Sequence, residues 1–461
     1  MSGAERLTAS EAAAQLSAGT LTAEALTRDC LDRASARAEV KAWVWLDPEQ
    51  ALAQARAADR ARRPGLLGGV PIGVKDVIDT ADMPTQHGSP IYRGNRPFAD
   101  AACVALIRAA GGVILGKTVT TEFANRDPRE TVHPHRPAHT PGGSSSGSAA
   151  AVADFQVPVS LGTQTGGSTI RPAAFCGVVG YKPSFGEFSR VGVKMQCHNL
   201  DTLGVICRSL EDLALMRAVL TAQDLHRVDR ASNAPRIGFC RTPAWDHADS
   251  DTQILLERTA AKLAGAGATV RDIALTPADI LAHHRRIFEF EAARNYAHEY
   301  EVHGDKLSAA LRDGLLTPGR ALPLSAYFEA IETAEAFRRN LDDLFAEFDV
   351  LLAPSAVGEA PEGLGSTGDA RFNAIWTLAW TPCVTLPAGT GRKELPLGVQ
   401  LIGPRFGDEA LLDAAAWVEA RLNGQSKMNL ESSVGYSSFR RRRESRNPSI
   451  GSAAGSPLPR G

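Results

Sequence analysis

The sequence predicts an α/β layered fold, packed as one domain over residues 1–423. Short β-branched runs bounded by glycine or proline alternate with longer tracts of helical spacing, as strands layered against helices do. These runs are too numerous for a small domain. No linker or internal repeat interrupts the chain before about residue 423. The 461 residues, 44% apolar and 22% charged, are ample for a hydrophobic core of ordinary globular composition.

The first sixty residues read as helical. In LTASEAAAQLSAG, Thr8 and Glu11 form a capping box and Gly19 supplies the stop; LTAEALTRDCLDRA continues at helical spacing. GGVPIGVKDVIDT then reads as a strand ending near Lys75. DAACVALIRAAGG is an amphipathic helix with Asp100 as its expected N-cap, leading into a strand at VILGKT. Residues 140–208 are rich in Gly, Ser and Thr around short apolar runs (VPVSLGT, FCGVVGYKP), and SLEDLALMRAVL is again helical. Late strands are expected at PRIGFC, DVLLAPS, PCVTLPA and LPLGVQLIG. Residues 424–461 are polar, Ser/Arg/Gly/Pro-rich and aperiodic, so a disordered tail is expected, its RRRR run a solvated patch.

A net charge of −2 implies no nucleic-acid or anionic-membrane partner. No apolar run approaches a membrane span, and the N-terminus has neither the basic start nor the apolar block of a signal peptide. Seven scattered cysteines without a CxxC read as buried free thiols of a cytoplasmic protein.

Three local motifs compete for the chemistry. GGVILGKT at 111–118 spells a phosphate loop, but a helix precedes Gly111 and Val113–Leu115 read as strand interior, the reverse of what that loop needs. GSSSG at 143–147 spells a nucleophile elbow centred on Ser145, the mark of an α/β-hydrolase. What precedes it is HPHRPAHTPG rather than an apolar strand, and no acid-then-histidine order follows near the C-terminus, since His303 is the last histidine. VHPHRPAH groups His133, His135 and His139, yet its prolines make a loop and no carboxylate cluster completes a metal set. There remain Lys75, the serines of GGSSSGS and Ser168 in TQTGGSTIRP. A serine without a histidine can use a lysine as base, provided burial brings its pKa toward neutrality.

PIGVKD, GGSSSGSAAAVA, GTQTGGSTIRPAAFCGVVGYKP and LDTLGVICRSLEDLAL follow one another within residues 66–215, and in them the chain resembles the amidase signature family. Weaker similarity runs from about residue 5 to 420, including STGDARFNAIWTLAWTPCVTLPAG. GVKDVIDTADMPT, GSPIYRG, NRDP and the two serine stretches are most similar to the bacterial malonamidases of that family.

The resemblance implies a large mixed central β-sheet covered by helices on both faces, and a Ser–Ser–Lys amidase that needs neither metal nor cofactor. Ser168 would be the nucleophile, and Ser144, after a cis peptide at Gly143–Ser144, would relay its proton to Lys75. The backbone N–H groups of Thr165, Gly166, Gly167 and Ser168 would form the oxyanion hole. Ser145, Gln164 and Arg171 are expected to meet the substrate, a small-molecule amide. At this spacing an arginine is linked in malonamidase to the substrate carboxylate, and a structural arginine is the alternative. Gln164 and Ser146 stand where many members carry Asp and Gly, and Phe288 stands where a polar substrate-facing residue would align. Other readings are the amidase component of a tRNA-dependent amidotransferase and an inactive binding member of the family. A homodimer is the expected assembly.

Overall fold

The computed structural model describes residues 3–61, 65–125, 128–231 and 233–433, with the side chains of the final helix described as far as residue 422. Residues 1–424 form one compact unit. Its centre is an 11-stranded mixed sheet in the order β1-β3-β2-β4-β6-β5-β10-β11-β9-β7-β8. The strands are β1 (Trp43–Leu46), β2 (Pro71–Lys75), β3 (Val113–Thr118), β4 (Val159–Gln164), β5 (Val179–Lys182) and β6 (Thr202–Cys207). They continue with β7 (Arg236–Cys240), β8 (Thr269–Ile273), β9 (Val350–Pro354), β10 (Cys383–Thr390) and β11 (Pro396–Ile402).

Alternation along the strands shows both faces of the sheet to be covered. On β9, Val350 and Leu352 enter one apolar core with Leu213 and Met216 of the helix Leu210–Thr221 and Leu411 of the final helix. Leu351 and Ala353 point the other way, into a second core with Ile287 of the helix Ile280–Asn295 and Phe337 and Leu341 of the helix Leu324–Phe345. Burying such side chains on both faces stabilises by roughly 25 cal/mol per Å² of apolar surface, which makes the sheet a rigid platform for a site at its strand ends.

The expected β2, β3, β4, β7, β9, β10 and β11 all form, and β2 ends at Lys75. The Thr8/Glu11 capping box is present, and Gly19 follows the helix with φ +70°. Two expectations are corrected. Asp100 does not cap the helix Ala102–Ala109, whose N-cap is Ala101; its carboxylate instead accepts from Ala81 N and pairs with Arg108. Phe175 and Cys176 end a helix, Ile170–Cys176, before β5 begins at Val179. The final helix, Asp408–Ser433, runs past residue 423; the RRRR run and the rest of the tail from residue 434 lie outside the described residues.

All seven cysteines are buried free thiols. Among the described residues no helix is long and apolar enough to cross a membrane. The phosphate-loop letters fall as expected, with Ala102–Ala109 helical before Gly111 and VILGKT inside β3.

Candidate active site

β4 lies between β2 and β6, parallel to β2, so the C-terminal ends of β2 and β4 emerge side by side. β2 delivers Lys75 there, and β4 delivers Thr163 and then the TQTGGS loop. Lys75 is fully buried; its Nζ lies 2.8 Å from Ser144 Oγ and 2.7 Å from Thr163 Oγ1. Burial drives its pKa well below the ordinary lysine value; Asp201 opposes that shift and Arg171 reinforces it. A lysine held between two neutral hydroxyls in a dry setting favours the free amine, a base with a lone pair to aim.

Ser144 is presented by a cis peptide, Gly143–Ser144, just before the helix Ser146–Ala153. Ser145 N donates to Ser168 O at 3.3 Å, which docks this turn against the backbone of Ser168. Ser168 is half-buried and lines a cavity of about 960 Å³ with Thr165, Gly166, Gly167, Arg171, His284 and Phe288. Lys75 and Ser144 are not among the residues that line this cavity. Among the described residues the N–H groups of Gly166, Gly167 and Ser168 find no acceptor. Gly167 is required by packing: a Cβ there would sit 2.4 Å from Asn373 Oδ1.

Two residues expected to meet substrate, Ser145 and Gln164, do not line the cavity. Ser145 is fully buried and faces β4, its Oγ donating to Thr163 O (3.4 Å) and accepting from Thr163 N (3.3 Å). It follows a loop and stands at the N-cap position of a helix, away from the cavity, so the elbow geometry is absent. Gln164 is also fully buried: its Oε1 accepts from Thr169 N and Ile170 N, both at 3.0 Å, and its Nε2 donates to Thr377 Oγ1 at 3.1 Å. It closes the base of the 165–170 loop and is not among the residues that line the cavity. Arg171 does line the cavity, but it is 4% exposed and its guanidinium holds Thr367 O through Nε (2.8 Å) and Gly143 O through Nη2 (2.6 Å).

The histidine loop is structural. His133 Nε2 meets Phe175 O, its Nδ1 accepts from the backbone of His135 and Arg136, and His139 Nδ1 meets Ala360 O. Among the described residues no three His, Cys, Asp or Glu side chains are placed to hold a metal ion.

The amidase family profile matches residues 25–412. The chain belongs to the amidase family. It is 34% identical to a glutamyl-tRNA(Gln) amidotransferase subunit of Chloroflexus aggregans, covering 88% of this chain and 94% of the relative. It is also 34% identical to AmiD of Mycobacterium bovis, a protein assigned as an amidase, over 84% of this chain and 87% of that one. Among solved structures, the native peptide amidase of Stenotrophomonas maltophilia superposes with a TM-score of 0.76 at 30% identity, covering 90% of this chain and 97% of that one.

Sequence reasoning overlooked Thr163, Asp201, His284 and Thr377. Thr165 Oγ1 donates to Asp201 Oδ1 at 2.6 Å, and Asp201 Oδ2 accepts from Gln196 N and Cys197 N. Asp201 sits in the quoted LDTLGVIC run, one residue before β6, so pairing of β6 with β4 was the signal that could have found it. His284 and Thr377 lie far along the chain on separate helices, and no local pattern marks them.

Proposed function

We propose that this amidase hydrolyses a small-molecule carboxamide to acid and ammonia through Ser168, Ser144 and Lys75. One observation carries the reading: a fully buried lysine, with no carboxylate partner among the described residues, 2.8 Å from Ser144 Oγ and next to a loop whose N–H groups find no acceptor among those residues. Ser168 Oγ attacks the amide carbon while its proton passes through Ser144 to the Lys75 amine. The carbonyl oxygen becomes the oxyanion facing the N–H groups of the 165–168 loop. Collapse expels ammonia, which takes the proton back through Ser144. Water then attacks the acyl carbon, its proton passing through Ser144 to Lys75, and the Ser168 Oγ–carbon bond breaks to release the acid as Ser168 Oγ takes that proton back. One oxyanion donor is worth about 3–4 kcal/mol in such a step. Ammonia release from malonamate, indoleacetamide, benzamide and glutamine tests the activity, and Ser168→Ala should abolish it against every amide turned over.

The malonamate-like substrate rests on Arg171, the cation set into the cavity wall nearest in sequence to Ser168. Phe175, Leu281 and Phe288 form apolar walls of the same cavity and favour an aryl or alkyl amide. The kcat/KM ratio of malonamate to benzamide in wild type and Arg171→Ala separates the two. A selective loss for the acid of ~30-fold or more supports a carboxylate contact. Equal losses assign Arg171 to holding Gly143 and Thr367.

The second reading, an amidotransferase component that passes ammonia to a partner, is favoured by the 34% identity to the amidotransferase subunit of Chloroflexus aggregans. Co-purification of a second chain, with amide cleavage dependent on it, would establish that reading over the free amidase.

A further inference from the structure

We infer that Thr377 and His284 are positioning residues that aim the N–H groups of the oxyanion loop into the cavity. The inference rests on the proposed role of that loop and concerns residues outside the Ser–Ser–Lys set. In a trans peptide the C=O and N–H point in opposite directions, so fixing a carbonyl on one side fixes the next residue's N–H on the other. Three consecutive carbonyls of the loop are fixed this way. His284 Nε2 lies 2.9 Å from Thr165 O, which sets the N–H of Gly166. Thr377 Oγ1 donates to Gly166 O at 2.8 Å, which sets the N–H of Gly167. Arg171 N donates to Gly167 O at 3.0 Å, which sets the N–H of Ser168. Both glycines have the backbone freedom to turn away if released, so this segment most needs external restraint.

The restraint is itself restrained. Thr377 is 1% exposed and takes no part in the cavity lining, so it acts only through what it holds. Its hydroxyl accepts from Gln164 Nε2, and Gln164 Oε1 caps Thr169 N and Ile170 N on the far side of the loop. Asn373, one turn earlier on the helix Arg371–Leu378, packs against Gly167 and is tied to Ser355 O and Gln400 Oε1. That helix therefore backs the loop at Gly167 and pins it at Gly166. Donors that face the developing charge without reorganising during reaction are the ones that lower the barrier.

The test uses the full-length enzyme and the panel amide with the highest turnover. Thr377→Val keeps the shape and removes the hydroxyl; Thr377→Ser restores it. Thr377→Val is expected to lower kcat by about 10- to 100-fold, with KM within about twofold of wild type. The aldehyde matching that amide (benzaldehyde for benzamide) probes the hole directly. Ser168 Oγ adds to its carbonyl carbon, the serine proton passes to Lys75, and the carbonyl oxygen becomes the oxyanion. Aldehyde inhibition should weaken by a similar factor in Thr377→Val, while inhibition by the acid product stays unchanged. His284→Leu should lower kcat and weaken aldehyde inhibition by a similar factor, and His284→Gln, which keeps a donor, should recover part of both; KM is not read for this pair because His284 lines the cavity. A folded Thr377→Val with wild-type kcat overturns the inference, as does a loss confined to KM or equal impairment of the Val and Ser variants. If Thr377→Val unfolds, the His284 pair decides by kcat and aldehyde inhibition: a wild-type kcat in His284→Leu, or equal impairment of the Leu and Gln variants, overturns the inference. Ser168→Ala separates the two layers: activity retained there defeats the functional reading, whereas its loss beside an unimpaired Thr377→Val defeats this inference alone.

Discussion

Lys75 and Lys117 occupy neighbouring parallel strands, β2 and β3, one register step apart, and both are fully buried. Their surroundings differ in kind. Lys117 Nζ donates to Ile78 O (2.5 Å), Thr85 Oγ1 (2.5 Å) and Thr80 Oγ1 (3.2 Å), and lies 3.8 Å from Asp76 Oδ1. Burial lowers its pKa to about 8 against the pull of Asp76, whose own value rises to about 6. Among the described residues Lys75 has two hydroxyls and no carbonyl or carboxylate at hydrogen-bonding distance, and burial pushes its pKa well below the ordinary lysine value. An ammonium needs acceptors for its three N–H bonds, and Lys117 has them, so it serves as a structural cation tying the 78–85 loop to the sheet. The Lys75 environment suits the neutral amine. Equal burial thus yields a strut in one strand and, in the proposed mechanism, a base in the next, and the acceptor set decides which.

The comparison breaks most sharply in turnover. Lys75→Met should reduce amide hydrolysis to background, as Ser168→Ala should, while Lys117→Met should retain the activity of whatever fraction stays folded. Steady-state ammonia release with circular dichroism as the folding control checks this; an active Lys75→Met enzyme would remove Lys75 from the mechanism.

Stability should reverse the order. Lys117→Met leaves Asp76 buried without its cation and should cost about 3–5 kcal/mol in urea denaturation. Lys75→Met removes a desolvated amine and should leave the denaturation midpoint equal to or above that of wild type at pH 7.

The pH dependence sharpens the contrast. Because the folded pKa of Lys75 is depressed, activity should rise with pH through that value and fall on acidification, with the acid limb well below the ~10.4 of free lysine. The unfolded chain binds the extra proton between the depressed value and ~10.4, so Lys75 lowers wild-type stability there and the deficit shrinks as pH rises. Thermal unfolding of wild type and Lys75→Met across the alkaline range should show their difference narrowing toward that limit.

The smallest effect is expected at Ser145. It touches Thr163 rather than the cavity, so Ser145→Ala should cost no more than about 1 kcal/mol of stability and leave most activity intact. A dead Ser145→Ala enzyme would restore the elbow reading and undo the distinction between the two lysines.

The sequence by itself determined the layered α/β class, most strands, the capping box at Thr8 and Glu11, and the segments that carry Lys75, Ser144 and Ser168. Those features are local: strand and helix periodicity, glycine where backbones approach closely, and motifs that span a few residues each. β1, β6 and β8 were not expected, although WVWL and TLGVIC carry aromatic and β-branched residues; pairing with neighbours makes these segments strands. The tertiary structure alone decided which way the side chains of those segments face. Ser145 and Gln164 lie in the same motifs as Ser144 and Ser168 yet turn into the protein, because Thr163 and the N–H groups of Thr169 and Ile170 offer partners there. Thr163 reached Lys75 only through the parallel alignment of β2 with β4, and His284 and Thr377 reached the loop from helices more than a hundred residues away along the chain. Hydrogen bonds reach about 3 Å whatever the separation in sequence, so the chain can spell out its candidate reactive groups locally while partners distant in sequence meet them only once the sheet has formed.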